Sequence, residues 1–442
     1  DKEYRLSAKS TALEYAGEHI GGALWQYFEG QGDAERALAA MKDASRYTRG
    51  HLSRDAVHAL YGGAVTLSAS RMDMARSCHF AYFMRYGLKA RERTGAGFDA
   101  PQIGTFVHDV MEHTLRQAKE CGGLHTLSKD KLHALVRASI EEYIDRVLPD
   151  LSEKSARFRY LFNRLCATVE RIMDEVSEEL QSSDFEPLAF ELEFGADGQL
   201  PAITIREENG TARVVGKVDR VDGWLHDGKL YLRVVDYKTG KKSFDLAELR
   251  YGLGLQMLLY LFTLKEEGQM LFGGHEIVPA GVLYTPAREP MLRCARDTEP
   301  EKIEKALKKE LRRSGMVLED PAVLQAMEHS AIESPCYLPI AVKRDGAVTG
   351  SLASAEQLGK LSKYVDHILH EITQEVFAGN IDADPYARTP QQSACTYCEF
   401  ASACHFENGC GSDRMEYIKA TKNDEFWQYI DEVNGEGAHE NG

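Results

Sequence analysis

The spacing of apolar residues changes period twice along the chain. Over residues 1–65, Leu13, Ile20, Leu24, Tyr27 and Phe28 recur at helical intervals. Gly30 and Gly32 interrupt them, and Asp33 stands as an N-cap for a further helix carrying Leu38 and Met41. From Thr66 a serine-rich entry (Ser68, Ser70) leads into a helix with Met72, Ala75, Phe80 and Phe83, and the spacing predicts helices over 103–120, 128–147 and 152–182. At Phe190 the period shortens to two: Phe190, Leu192 and Phe194 alternate with Glu191 and Glu193, the pattern of a strand. Strands are predicted over 201–206, 212–224 and 229–238, with Asp227-Gly228 as a hairpin turn. A helix over 251–266, a strand over 276–285 and helices over 300–314 and 354–378 follow. Pro385 and Pro390 then mark a loop, and the Gly-, Glu- and Asn-rich tail beyond 430 is expected to be disordered. Helices, then strands, then helices imply an α/β fold, a core with a mixed central sheet and large helical additions.

With 442 residues, 43% of them hydrophobic, the chain can bury the cores of two or three units. No segment approaches the ~18 continuous apolar residues of a membrane span, so a soluble, cytoplasmic protein is expected. The chain opens at Asp1 in charged sequence, as expected of a piece of a longer polypeptide or a processed product. Its 53 Lys and Arg against 69 Asp and Glu give a net charge of −16, which excludes a protein coated in basic surface. A local positive channel would still suffice for DNA. Lys302, Lys305, Lys308, Lys309, Arg312 and Arg313, interleaved with Glu301, Glu304 and Glu310, read as a solvated helix face. No G-x-x-x-x-G-K-[ST] occurs, so any ATP-driven motor must lie elsewhere.

The residues with chemistry sit in the strand region. Gly216-Lys217-Val218-Asp219-Arg220-Val221-Asp222 is followed, across the hairpin, by Val234-Val235-Asp236-Tyr237-Lys238-Thr239-Gly240. Residues two apart share a strand face, so Asp236 and Lys238 lie together and the hairpin returns them to Asp219. Two carboxylates on adjacent strands can hold a hard divalent ion such as Mg²⁺ through oxygen, with Lys238 beside them to orient an attacking water. Alone, this pattern reads as a surface ion pair on a solvated hairpin. Its company changes that: Gly104, His108 and Glu112 recur every four residues on one helix face, and Gln256 and Tyr260 are four apart on the helix after the sheet.

Nine cysteines are unevenly distributed. Cys395, Cys398 and Cys404 form C-x₂-C-x₅-C, and either Cys410 nearby or Cys78 far upstream could supply a fourth thiolate, to zinc or to an iron–sulfur cluster.

Taken together, G-x-x-x-H, G-x-V-D-R-V-D, V-D-Y-K-T-G and Q-x-x-x-Y, in this order over residues 104–260, resemble the RecB-like branch of the PD-(D/E)XK (restriction endonuclease-like) nucleases. The resemblance implies metal ligation by His108, Asp219, Asp236 and the Tyr237 carbonyl, catalysis by Lys238, and support from Gln256 and Tyr260. It also places an occasional additional acidic residue at Glu191, although Glu191 and Glu193 share a face and a solvent-facing reading is preferred for both. Leu67-Ser68-Ala69-Ser70-Arg71, with Cys78-His79-Phe80-Ala81-Tyr82-Phe83, is similar to the start of the nuclease domain in AddB-type subunits of AddAB helicase–nucleases. That likeness implies a [4Fe–4S] cluster on Cys78, Cys395, Cys398 and Cys404, leaving Cys410 spare, with His79 where the family usually has Pro. Such a cluster would act as a structural staple, with Phe80, Tyr82, Tyr397, Phe400 and Phe406 expected to pack around it. Residues 1–65 would be a helical junction to a helicase-like portion, 66–412 the nuclease domain and 413–442 a partly disordered tail. The implied function is a Mg²⁺- or Mn²⁺-dependent exonuclease that partners an AddA-type subunit. It would cut unwound single-stranded DNA, the 5′-terminated strand, in double-strand break repair. Lys241, Lys242 and Arg250, just past the acidic pair, are the expected phosphate contacts. A free-standing iron–sulfur exonuclease and a catalytically silent DNA-holding scaffold are the alternatives.

Overall fold

The computed structural model describes residues 2–45, 48–91, 100–195, 198–295, 297–389 and 391–440; Pro390 lies outside them. The chain divides into two compact units, neither continuous in sequence. One gathers residues 1–63, 74–92 and 372–419, the other 64–73, 93–371 and 420–442.

The larger unit is built on a six-stranded mixed sheet. Its strands include β2 (Glu186–Phe194), β5 (Gly216–His226), β6 (Lys229–Lys238), β7 (Glu276–Pro286) and β8 (Ser314–Leu318), and the short strand Leu352–Ala353 pairs with β8 at the edge; a separate three-stranded sheet holds β1 (Ala64–Leu67), β3 (Ile203–Glu207) and β4 (Gly210–Val214). The order across the large sheet is Leu352–Ala353, β8, β7, β6, β5, β2, with β6–β7 and the edge pair parallel and the remaining pairs antiparallel. Asp227 and Gly228, both at positive φ (50° and 77°), close the β5–β6 hairpin as the sequence predicts.

Two departures have clear causes. The single strand expected over 212–224 is two strands in different sheets. Val215 N–H donates to the Leu67 carbonyl (2.9 Å), and Gly216 begins β5 where a Cβ would lie 2.5 Å from the rings of Phe194 and Tyr260. Only glycine lets those two rings close over the strand, which explains the first letter of G-x-V-D. The helix expected to 314 ends at Glu310; its lysines stay solvated, but Arg312 and Arg313 beyond it do not. Arg312 donates to the carbonyls of Ile340 (3.2 Å) and Pro335 (2.6 Å), while Arg313 is buried and bonded twice to Glu179 Oε2 (3.0 and 2.5 Å).

Arg313 belongs to an ion network on the sheet face carrying the even-numbered residues of β5. Alternation puts Arg220 and Asp222 there, and the register sets Asp222 opposite Arg233 of β6. Arg220 Nε and Arg233 Nε lie 2.8 and 2.9 Å from the two oxygens of Asp222. Glu179, from the Ala156–Gln181 helix, faces Arg233 at 3.5 Å and Arg313 at 2.5 Å. Arg220, Asp222 and Arg233 have no exposed surface at all. Charges this deep are tolerable only as a mutually satisfied set.

Of the tail expected to be disordered, residues 431–440 continue the helix Asn423–Glu440, and 441–442 lie outside the described residues. Phe426, Trp427 and Ile430 are buried, so three apolar anchors outweigh the Gly- and Glu-rich composition. No described helix is long and apolar enough to cross a membrane.

In the smaller unit, Ala12, Ala16, Trp25, Phe28, Ala34 and Leu38 form an apolar cluster among the N-terminal helices. Asp33 falls within the first turn of the Gly32–Ser45 helix rather than capping it. Arg49 is locked to Asp413 (2.8 and 3.0 Å) and to the Cys404 carbonyl (2.8 Å), with its guanidinium 4.5 Å from the centre of the Phe80 ring.

Candidate active site

Strand register assembles the site. β2 pairs Phe190 with Arg220 and Leu192 with Val218, which sets Glu191 across from Asp219. β5 pairs Arg220 with Val235, so one further step sets Asp219 across from Asp236, and β7 brings Tyr284 beside Asp236. Three carboxylates thus stand in a row across three adjacent strands. Glu191 does not face solvent as expected. Its side chain is 14% exposed against 55% for Glu193, and its backbone sits at φ 48°, an unfavourable value for a residue with a Cβ. Both glutamates share the face that alternation gives them and both approach Lys217, but only Glu191 is shielded, being the one set across from Asp219.

The Ala100–Glu120 helix presents Gly104, His108 and Glu112 to a cavity of about 440 Å³ that Glu191 and Lys217 also line. His108 Nε2 lies 2.9 Å from the Tyr237 carbonyl and Nδ1 lies 3.4 Å from Asp219 Oδ2. Burial opposes a charge on this ring. The Asp219 carboxylate, the Tyr237 carbonyl and Asp236 outweigh that and raise its pKa to about 9. Tyr237 N–H in turn donates to Asp219 Oδ2 (2.8 Å). One residue's backbone therefore holds both the histidine and the first aspartate.

Asp236 is 3% exposed, and Lys238 Nζ lies 2.7 Å from its Oδ2. Burial and the neighbouring Asp219 push its pKa up to about 6 against the pull of Lys238 and His108. Donor atoms of His108, Glu191 and Asp219 all lie within 4.8 Å of one another, close enough to share one ion. Asp236 stands outside that set, its oxygen held by Lys238. Gln256 and Tyr260 are bonded to each other (Nε2 to Oη, 3.1 Å) and line a second cavity of about 630 Å³, with Lys217 on the border of both. Lys241 is exposed and pairs with Glu310 (3.2 Å), Lys242 lies 3.6 Å from Glu248, and Arg250 stacks 4.6 Å from the centre of the Tyr429 ring.

His108, Asp219, Asp236 and Lys238 thus come together on the mixed sheet and the helix facing it, with Glu191 added to them. The PD-(D/E)XK nuclease superfamily model matches residues 66–405. The chain belongs to that superfamily. It is also similar to the B-type subunit of the ATP-dependent helicase/deoxyribonuclease of Ruminiclostridium cellulolyticum, 30% identical over 93% of this chain and 36% of that protein. The like-named proteins from Acetivibrio thermocellus (32%, covering 92% and 35%) and Caldanaerobacter subterraneus (32%, covering 87% and 33%) are comparably similar. The chain spans about a third of the length of these relatives.

PD-(D/E)XK nucleases depend on divalent metals, and His108, Glu191 and Asp219 offer a fitting set, one nitrogen and hard oxygens close enough to share an ion. The sequence alone missed what steadies them. Tyr237 Oη accepts from Arg220 Nη1 (2.7 Å), so the buried ion network fixes the residue whose N–H and carbonyl hold Asp219 and His108. Tyr237→Phe is expected to lower Mn²⁺ affinity about 10- to 100-fold, the usual cost of losing an outer-shell partner. Titration followed by electron paramagnetic resonance would show it, and unchanged affinity would mean the backbone there is held by other means.

Cys78, Cys395, Cys398 and Cys404 are unpaired and all lie in the smaller unit. Cys78 is buried, which drives its thiol pKa up to about 12 even though backbone hydrogen bonds from Ala81, Asp384 and Phe80 favour the thiolate. Burial raises the pKa values of both Cys395 and Cys404, joined by Cys398 and Cys404 at the first and, against Arg49, by Asp413 and Cys398 at the second. Among the described residues no three cysteine sulfurs approach within 4.8 Å of one another. Of the aromatics expected around them, Tyr82 and Phe400 are buried, but Tyr397 is 97% exposed.

Proposed function

We propose that this chain is the nuclease portion of a helicase–nuclease subunit, a Mg²⁺- or Mn²⁺-dependent exonuclease acting on single-stranded DNA unwound from duplex ends. The observation that carries this reading is the row Glu191–Asp219–Asp236 with His108 above it and Lys238 at its end. His108, Glu191, Asp219, Asp236 and the Tyr237 carbonyl would hold the metal. When bound, a divalent ion there neutralises phosphate charge and makes water a better nucleophile. Lys238, fixed against Asp236 at 2.7 Å and 5.7 Å from the centre of the Tyr284 ring, orients the attacking water. The Tyr237 backbone keeps His108 and Asp219 in place while charge redistributes. Lys241, Lys242 and Arg250 would steer the strand.

The partner is an AddA-type helicase–nuclease subunit and the process double-strand break repair in the cytoplasm, with cutting of the 5′-terminated strand. The names of the relatives, which pair a helicase with a deoxyribonuclease, support this assignment. The test is Mg²⁺-dependent cleavage of single strands labelled at either end, with Lys238→Ala lowering the rate about a hundred-fold or more. Full activity in that variant would remove the mechanism, and cutting confined to the 3′-terminated strand would remove the polarity.

A [4Fe–4S] cluster on Cys78, Cys395, Cys398 and Cys404 belongs to the same reading. What supports it is a set of free thiols gathered in one unit and a Cys78 sulfur that already accepts backbone N–H groups. Anaerobically purified protein should be brown and contain iron, and Cys78→Ser should lose the colour and melt at a lower temperature. Colourless, zinc-loaded wild type would overturn the assignment.

A further inference from the structure

The site has one basic side chain that nothing so far employs. Lys217 occupies the second position of G-x-V-D, on β5 and across from Glu193 of β2. Its Nζ lies 2.6 Å from Glu191 Oε2 and 3.5 Å from Glu193 Oε1, and its side chain is 48% exposed. Both cavities of the site share it as a wall, and among the described residues it is the only Lys or Arg lining either of them. On one side it faces His108 and Glu191. On the other it faces about 630 Å³ of space lined by Ser68, Ser70, Tyr260 and Gln256, with the half-exposed Glu193 as its one carboxylate.

We propose that this larger cavity receives the nucleotide next to the scissile phosphate, and that Lys217 is its phosphate contact, released from Glu191 when a divalent ion takes that carboxylate. This rests on the metal-site reading above. The chemistry of the walls selects the ligand class. Three hydroxyls, an amide and an ammonium are hydrogen-bond donors suited to a phosphodiester, and Ser68 and Ser70, 3.1 Å apart, can point two hydroxyls at one group. Phe194 gives the cavity an apolar patch of wall, which suits a sugar or base. Electrostatics links the two events. Glu191 cannot serve Lys217 and a divalent ion equally, because the ion brings twice the charge to the same oxygens. An ammonium so displaced stands beside a cavity whose other described lining residues carry no fixed cation, and a phosphate is the anion that the proposed substrate provides. Before metal arrives, the same lysine shields Glu191 from Asp219 and spares the row part of its mutual repulsion.

This assignment separates two quantities that a merely structural lysine would move together. In Lys217→Gln, Mn²⁺ titrated into the whole chain without DNA should bind several-fold more tightly, because its competitor for Glu191 is gone. A fluorescently labelled oligothymidylate, with catalysis blocked by using Ca²⁺ in place of Mg²⁺, should bind about ten-fold more weakly. The slope of its log affinity against log salt should be shallower by about 0.7, the value of one phosphate contact on a single strand. Lys217→Arg should restore oligonucleotide binding. Unchanged oligonucleotide affinity and slope in Lys217→Gln, or weaker Mn²⁺ binding, would overturn the proposal while leaving the metal site intact. Wild-type protein that binds no Mn²⁺ would overturn both.

Discussion

Asp219→Asn is expected to lower single-strand cleavage at least about a thousand-fold while leaving the fold in place. Asparagine keeps an oxygen to accept the Tyr237 N–H, so the backbone joining Asp219 to His108 retains its anchor. What it loses is charge at the centre of the row, where donor atoms of His108, Glu191 and Asp219 converge. Loss of a carboxylate from a divalent-ion site forfeits several kcal/mol of transition-state stabilisation, and about 4 kcal/mol corresponds to a thousand-fold in rate. The same substitution removes the main upward influence on His108, so its pKa should fall from about 9. Cleavage assays would give the rate, NMR titration the imidazole, and Mn²⁺ titration the metal. An Asn variant that cuts at the wild-type rate would show that the row is not the active site.

The second large effect lies on the opposite face of the same sheet. Glu179→Gln should destabilise the protein by about 3–5 kcal/mol, the usual cost of breaking one partner out of a buried ion set. Without Glu179, the guanidiniums of Arg220, Arg233 and Arg313 face the Asp222 carboxylate alone. The pH dependence follows in sign. Burial opposes ionisation of Glu179, but Arg313, Arg233 and Arg220 prevail and lower its pKa from 4.5 to about 2. A carboxylate with a lowered folded-state pKa contributes its stability above the unfolded value and loses it as pH falls through the folded one. The gap between wild type and variant should therefore be full at pH 7, begin to close near pH 4.5 and be nearly gone at pH 2. Urea denaturation across that range would measure it, and a gap independent of pH would mean that packing, not charge, sets the cost. Because Arg220 holds Tyr237 Oη, the variant should also bind Mn²⁺ less tightly.

Much of the site was readable from spacing because it depends on local geometry. Asp236 and Lys238 are two apart on one strand and meet at 2.7 Å. Gly104, His108 and Glu112 are four apart on one helix and line one cavity. The Asp227-Gly228 turn returns Asp236 to Asp219 by a register that two positive-φ residues enforce. Glu191 was misread because alternation pairs it with Glu193, and the register that sets it alone across from Asp219 leaves no mark in composition. Arg313 was misread because it closes a run of basic residues while its partner, Glu179, is more than a hundred residues away. The strand expected to cross Val215 is divided by a hydrogen bond to Leu67 that no local pattern encodes.

The sequence by itself determined the α/β character, the aspartates and lysine of the row, the histidine that faces them and the grouping of C-terminal cysteines. Each follows from periods of two or four residues, or from a two-residue turn, and such periods survive in one dimension. Tertiary structure decided which glutamate joins the row, where Lys217 stands between two cavities, and that a buried network of arginines and carboxylates underlies the site. Those depend on register between strands distant in sequence and on which face of the sheet is sealed from water. There a charge must find partners or cost several kcal/mol, and the partners come from wherever the fold brings them.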